Sequence, residues 1–194
     1  MNRKYKWLPH EFLKQYEVSL YIDANVVLRG NPGTLMEEHV RKNPIALPMS
    51  PSRSCVYDEA EACVRYNKTG VIETYKQMSW YRSQDYPKNN GLTANRVLFR
   101  RHLEPDVISL MKEHWIEFNR WDTKRDQLSF PFSVWKSNAR VTMIGLNKNE
   151  FFDLKKHKTK QKSFEATVLS LFKKYYAFIV KYGLLKIVFL IKRI

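Results

Sequence analysis

Cysteine is nearly absent: Cys55 and Cys63 are the only two in 194 residues. That excludes a scaffold built on disulfides. Both lie in the run Cys55-Val-Tyr-Asp-Glu-Ala-Glu-Ala-Cys63. If the run is helical they stand about 12 Å apart along the axis, beyond the reach of a disulfide. With no histidine nearby in sequence they also make a poor zinc site, so the expectation is reduced, structural thiols in a cytosolic protein. Six glycines and eight prolines exclude fibrous and low-complexity classes. No uncharged apolar run reaches the 18 or so residues a membrane-spanning helix needs. Arg3, Lys4 and Lys6 are followed by Pro9, His10, Glu11 and Lys14, not by the apolar core of a signal peptide. The P-loop, Gly-x-Gly-x-x-Gly, Gly-x-Ser-x-Gly and His-Glu-x-x-His are all missing, which removes the commonest nucleotide and hydrolase signatures. His10, His39, His114 and His157 are too dispersed to argue a metal site.

Acidic charge is scarce as well. Nineteen Asp and Glu stand against 34 Lys and Arg, a net charge of +15, and such an excess favours anionic partners. The charge is uneven: residues 148–194 hold 12 Lys and Arg against 3 Asp and Glu, and the first 147 hold 22 against 16. The body is mildly basic, and the tail carries most of the surplus.

What is present reads as alternating strands and helices. Residues 17–28 form a β-branched and aromatic run interrupted by Asp23 and Asn25, a buried strand ending in a polar turn. Gly30 to Gly33 is a turn, and Thr34 is placed to cap a short helix over 35–41. A second strand covers 45–48, and helices follow over 57–67 and 71–82. Residues 83–91 are dense in turn formers, and Thr93 to Arg100 reads as a strand. Pro105 opens a helix whose Val107, Met111, Trp115 and Phe118 make an apolar face; His114 on it is a surface or packing residue. Residues 126–135 are partly helical, with Pro131 limiting regularity, and 141–146 is a last strand. The expectation is an α/β domain over residues 1–147.

Beyond it, residues 148–163 read as a basic linker and 164–194 as a basic amphipathic helix. On a helical wheel Ser170, Lys173, Lys174, Lys181 and Lys192 cluster, Lys186 and Arg193 fall elsewhere, and the rest is Leu, Ile, Val, Phe and Tyr. The tail is expected to lie in the interface of an anionic membrane, its lysines reaching lipid phosphates. The alternative is packing on the protein's own body. The expected location is cytoplasmic, peripheral on the inner face of the cell membrane.

Three places can carry chemistry. Asp23 with Asn25, at a strand end where α/β sheets bind ligands, suits a Mg²⁺ or Mn²⁺ shared with a diphosphate, or is a plain turn. Asn90 and Gly91 offer close hydrogen bonding to sugar hydroxyls, and Arg100 and Arg101, beside His102, can neutralise phosphate. Read alone, these are a turn and a solvated strand end. Asp126 beside Gln127 begins a helix, as a cap, a sugar contact or a base.

The runs Leu8-Pro9-His10, Tyr21-Ile22-Asp23-Ala24-Asn25, Glu59-Ala60-Glu61-Ala62-Cys63, Pro87-Lys88-Asn89-Asn90-Gly91-Leu92, Arg100-Arg101-His102 and Arg125-Asp126-Gln127-Leu128-Ser129-Phe130 occur in this order. Together they resemble the glycosyltransferase-like domain of the TOD/MUCI type, over about residues 3–135. The resemblance implies a GT-A-like mixed sheet flanked by helices, and transfer of a sugar from a nucleotide sugar to a glycan acceptor. It implies a divalent cation (Mn or Mg) and diphosphate at Asp23, with Asn90, Gly91, Asp126 and Gln127 near the sugar and Asp126 as the catalytic candidate. Where many such enzymes carry Asp-x-Asp, this chain has Asp23-Ala24-Asn25, leaving fewer charges for a metal. Members of the family also carry sequence upstream that grips the nucleotide. The expectation is therefore a domain lacking those strands, inactive alone or completed by a second chain. The reading from another class is a non-catalytic basic module for a membrane surface or nucleic acid. Aromatics at core spacing, and surplus charge in an apolar tail instead of a groove, disfavour nucleic acid.

Overall fold

A computed structural model describes residues 2–41, 43–145 and 152–154. Four short strands make the central mixed sheet: β1 (Ser19–Ile22), β3 (Ile45–Pro48), β4 (Val97–Arg100) and β5 (Thr142–Ile144), in the order β1-β4-β3-β5. β4 runs antiparallel to both β1 and β3, while β5 is parallel to β3. Three strands therefore point the same way. The period of two sends alternate residues to opposite faces. Leu20, Ile22, Ala46, Val97 and Phe99 join a core with Met36 and Val40 of α3 (Pro32–Val40). Tyr21, Ile45, Leu47 and Leu98 face a second core with Trp7 of α1 (Asn2–Trp7), Val107, Leu110 and Met111 of α6 (Pro105–Arg120) and Phe130 of α7 (Asp126–Ser137). A third core joins α7 to α4 (Val56–Arg65) and α5 (Val71–Ser83); Tyr81 and Phe132 stack there with ring centroids 4.1 Å apart. The short α2 (Pro9–Phe12) follows α1.

The run over 17–28 divides in two. Asp23 O accepts from Val26 N at 2.9 Å, and this turn sends β2 (Val26–Leu28) out of the sheet to pair with β6 (Phe152–Leu154). Residues 152–154, expected within a linker, thus belong to the folded body. The rest of 148–163 and the whole of 164–194, with the expected amphipathic tail, lie outside the described residues. Among the described residues no helix is long and apolar enough to cross a membrane.

Other differences are local. Asn31, not Thr34, caps α3: its side chain accepts from Gly33 N at 2.8 Å, so the helix begins at Pro32, where a missing N–H is harmless. The strand expected from Thr93 begins only at Val97, because Ala94 N donates to Pro48 O and the chain reaches β4 through a turn. α7 continues through Pro131 to Asn138, whose left-handed φ of 51° closes it. His114 resolves to packing: fully buried, with Trp7 at 4.0 Å and Phe130 at 5.2 Å. Burial pulls its imidazole down to about 3. Cys55 and Cys63 are both free and buried.

Candidate functional site

Because β1, β3 and β5 run together, their C-terminal ends open onto one side, the edge of an α/β sheet where ligands bind. A cleft of about 770 Å³ lies there. Asp23 leaves β1, Met49 and Ser50 leave β3, and Gly145 leaves β5; all four line it. The segment 94–97, entering the antiparallel β4, adds Asn95 and Arg96. The N-terminus of α7 brings Arg125, Asp126 and Gln127, and α1 brings Arg3 and Lys6.

α1 contributes through its helical spacing. Arg3, Lys6 and Trp7 lie three and four residues apart, hence on one face. Trp7, fully buried against His114 and Phe130, anchors that face. Lys6 is carried inside with it, only 1% exposed. Its ammonium donates to Asp126 Oδ2 at 2.7 Å and to Asn95 O at 2.5 Å, and stands 3.6 Å from Asp23 Oδ1. The rings of Trp7 and Tyr21 lie 5.2 and 4.9 Å from it. Burial lowers the pKa of Lys6, opposed by the attraction of Asp126.

Asp126 is the other half of this lock. Arg3 Nη1 also donates to its Oδ2. Burial pushes its carboxyl upward, but the Lys6 and Arg3 charges outweigh that and hold it below the usual carboxylate range. Asp23 is more open, one-third exposed, and accepts from the Tyr21 hydroxyl at 3.0 Å. Burial, and then the Asp23 charge, push Tyr21 up to about 12, so it stays a donor.

The charges lining the cleft do not cancel. Arg3 and Lys6 are paired with Asp126, Arg53 with Glu59 at 2.7 Å, and Asp153 with Arg29 outside the lining. Lys68, Arg96 and Arg125 also line the cleft, and none makes an ion pair among the described residues. Such a surface suits an anion carrying two or three charges.

The sequence decides the family: the model for the TOD1/MUCI70 glycosyltransferase-like domain matches residues 3–162. The chain belongs to this family. No curated protein and no solved structure matches it. The family match reaches past residue 147 and takes in β6.

Within this TOD1/MUCI70 domain, Asp23, Asp126 and Gln127 of the residues singled out from sequence meet in the cleft. Asn25 sits half-buried in the turn beside Asp23 and is not part of the lining. Asn90 and Gly91 line a separate, small, mostly apolar pocket with Phe130, Val134 and Met143. Arg100 is buried under α1, where its guanidinium donates to the carbonyl of Lys6, and burial pulls it down to about 9. Arg101 donates to Val40 O at 3.0 Å and pairs with Glu104. The ring of His102, fully buried, lies 3.0 Å from Leu13 O. These three hold secondary-structure ends together and do not line the cleft.

Among the residues missed, besides Lys68 and Arg96 of the lining, are Lys6 and Arg3. Their spacing with Trp7 was visible, but as charges they read only as a poor signal peptide. A divalent cation, implied by the resemblance, does not fit a protein-held site here. Among the described residues no three of His, Cys, Asp or Glu stand close enough to hold one, and every cleft carboxylate already contacts a cation.

Proposed function

We propose that this domain transfers a sugar from a nucleotide sugar to a glycan acceptor on a GT-A-like scaffold. The observation that carries the reading is the cleft: it lies at the C-terminal ends of three co-directional strands and combines an open carboxylate with uncompensated positive charge. In the transfer the bond between the anomeric carbon and the diphosphate oxygen breaks, and the acceptor oxygen bonds to that carbon. The acceptor's proton goes to a base, and the diphosphate leaves with an added negative charge. Asp23, one-third exposed and not hydrogen-bonded to a cation among the described residues, is placed to take that proton or to accept from a sugar hydroxyl, oriented by Tyr21. Asp126, saturated by Lys6 and Arg3 and lowered in pKa, positions Lys6 beside Asp23. Gln127 adds an amide to the wall, and Pro131, four residues on, has no N–H to give its carbonyl.

Isothermal titration of the full chain with a panel of nucleotide sugars tests the reading. Binding of at least one donor, followed by release of its diphosphate with an acceptor glycan, is expected. No heat with any donor removes it.

For residues 164–194 the proposal is a membrane-interface helix holding the domain at an anionic cytoplasmic surface. Lys181 and Lys186 would each cost about 2.5–3.5 kcal/mol at mid-bilayer, whereas near the surface each adds on the order of 1 kcal/mol. Full-length protein should float with anionic vesicles at low salt, and a chain ending near Lys162 should not. If neither floats, the tail is no anchor.

A further inference from the structure

We infer that the donor's diphosphate is neutralised by Arg96, Arg125 and Lys68 of the chain itself, and that donor binding needs no divalent cation. This rests on the nucleotide-sugar reading and specifies how its anion is held.

The charges of the cleft leave little place for a metal. A hard cation at a diphosphate takes its oxygen ligands from water and phosphate and usually from one or two protein carboxylates as well. In this cleft Asp126 binds two cations and Glu59 binds Arg53; Asp153, partly open, is hydrogen-bonded to Arg29, and Asp23, one-third exposed, has Lys6 3.6 Å away. The ammonium of Lys6 already stands beside Asp23, the carboxylate at the end of β1. A divalent ion there would be repelled by that charge.

The cleft also holds donors without an acidic partner. Arg96 is exposed on the segment entering β4, and Lys68 is exposed beyond the end of α4. Arg125, half-buried at the start of α7, has an Nε that is buried and without a hydrogen-bond partner. A buried guanidinium N–H left unmade is costly, and an arriving phosphate oxygen lets the side chain satisfy it. Asn95, 4% exposed in the same wall, likewise has an Nδ2 with no partner, while its Oδ1 accepts from Thr93 at 2.6 Å.

A helix end adds to these donors. α7 starts in the cleft, and its N-cap, Arg125, supplies no side-chain acceptor to the first turn. The first N–H groups of a helix have no intrahelical acceptor and carry partial positive charge, so twelve residues of α7 add their dipole to the same side as the guanidinium. Three cations, orphaned donors and an uncapped helix end together provide what a metal ion would otherwise supply to a leaving diphosphate.

The test is titration of the full chain with uridine, guanosine and adenosine diphosphates and with inorganic pyrophosphate. Each is run in EDTA and again with Mn²⁺ or Mg²⁺, at two salt concentrations. The expected result is binding of at least one nucleoside diphosphate in EDTA, within about threefold of its affinity with metal. That binding should weaken with salt, as charge pairing on an open cleft must. Arg96→Gln, at an exposed position, and Arg125→Gln should each weaken it roughly tenfold, the loss of one charge-assisted contact, and Arg125→Lys should recover part of the loss. Thermal midpoints of the variants show whether each is folded. Binding that appears only with Mn²⁺ or Mg²⁺ overturns the inference and leaves the nucleotide-sugar reading standing. Metal-free binding untouched by both glutamine variants overturns the assignment to these residues. Absence of binding under every condition overturns the inference and the reading together.

Discussion

Lys6 and Asp126 are 120 residues apart in sequence and form a 2.7 Å ion pair in the interior. The pair ties α1 to the first turn of α7 and forms one wall of the cleft. Neither charge has water to fall back on, so each makes the other's burial tolerable. Arg3 adds a second donor to Asp126, and Asn95 O a second acceptor to Lys6.

Removing one partner of this pair should be expensive. Lys6→Met should lower stability by about 1.5–3 kcal/mol, because Asp126 loses one charged donor and keeps Arg3. Adding Asp126→Asn to it should cost less than Asp126→Asn costs alone, because Lys6 is then no longer left buried beside a neutral amide. Urea unfolding of both single variants and the double variant measures the coupling. Additive losses would mean that the two side chains do not share one site.

Asp23 should behave in the opposite manner. One-third exposed, it is not needed for packing, and Asp23→Asn keeps its shape. The expected change in stability is within about 1 kcal/mol, with sugar transfer down by at least about a hundredfold if Asp23 is the general base. Unchanged turnover would remove Asp23 from the chemistry.

His114 sets an acid limit. Its folded pKa of about 3 lies below the ordinary 6.5, so between these values the unfolded chain binds a proton that the folded one refuses. Stability therefore falls as pH drops from about 6.5 toward 3, at about 1.4 kcal/mol per pH unit at the steepest. His10 is shifted in the same direction by burial. Urea midpoints at pH 7, 6 and 5 should decline, and His114→Leu should flatten part of that slope. An unaltered slope in the variant would show that other groups control it.

Gly91 separates fold from site. Its φ is +85°, a region that side chains avoid, and a Cβ there would stand 2.7 Å from Met143 Cε. Gly91→Ala should cost about 1–2 kcal/mol of stability. Nucleotide-sugar affinity, measured by titration, should be unchanged, since Gly91 lines the small pocket and not the cleft. A large loss of affinity in a folded variant would bring the 89–91 loop back to the sugar.

The sequence by itself determined the local pieces. Spacing showed the apolar face of α6, the order of strands and helices from α3 to β5, and Asp23 at a strand end, because each depends on neighbours within a few residues. The ordered short runs also carried the family. What only the tertiary structure decided was which polar groups meet. Arg100-Arg101-His102 read as a charged, ligand-facing end, yet the pleat turns Arg100 under α1 and the following turn sends Arg101 to α3. Arg3 and Lys6 read as loose N-terminal charge, yet burial of Trp7 draws them to Asp126. A charge is placed by whichever element covers it, and that element lies here about a hundred residues away. The physical reason is desolvation: once α1 packs, its lysine must find a carboxylate, and only the folded chain puts Asp126 within reach.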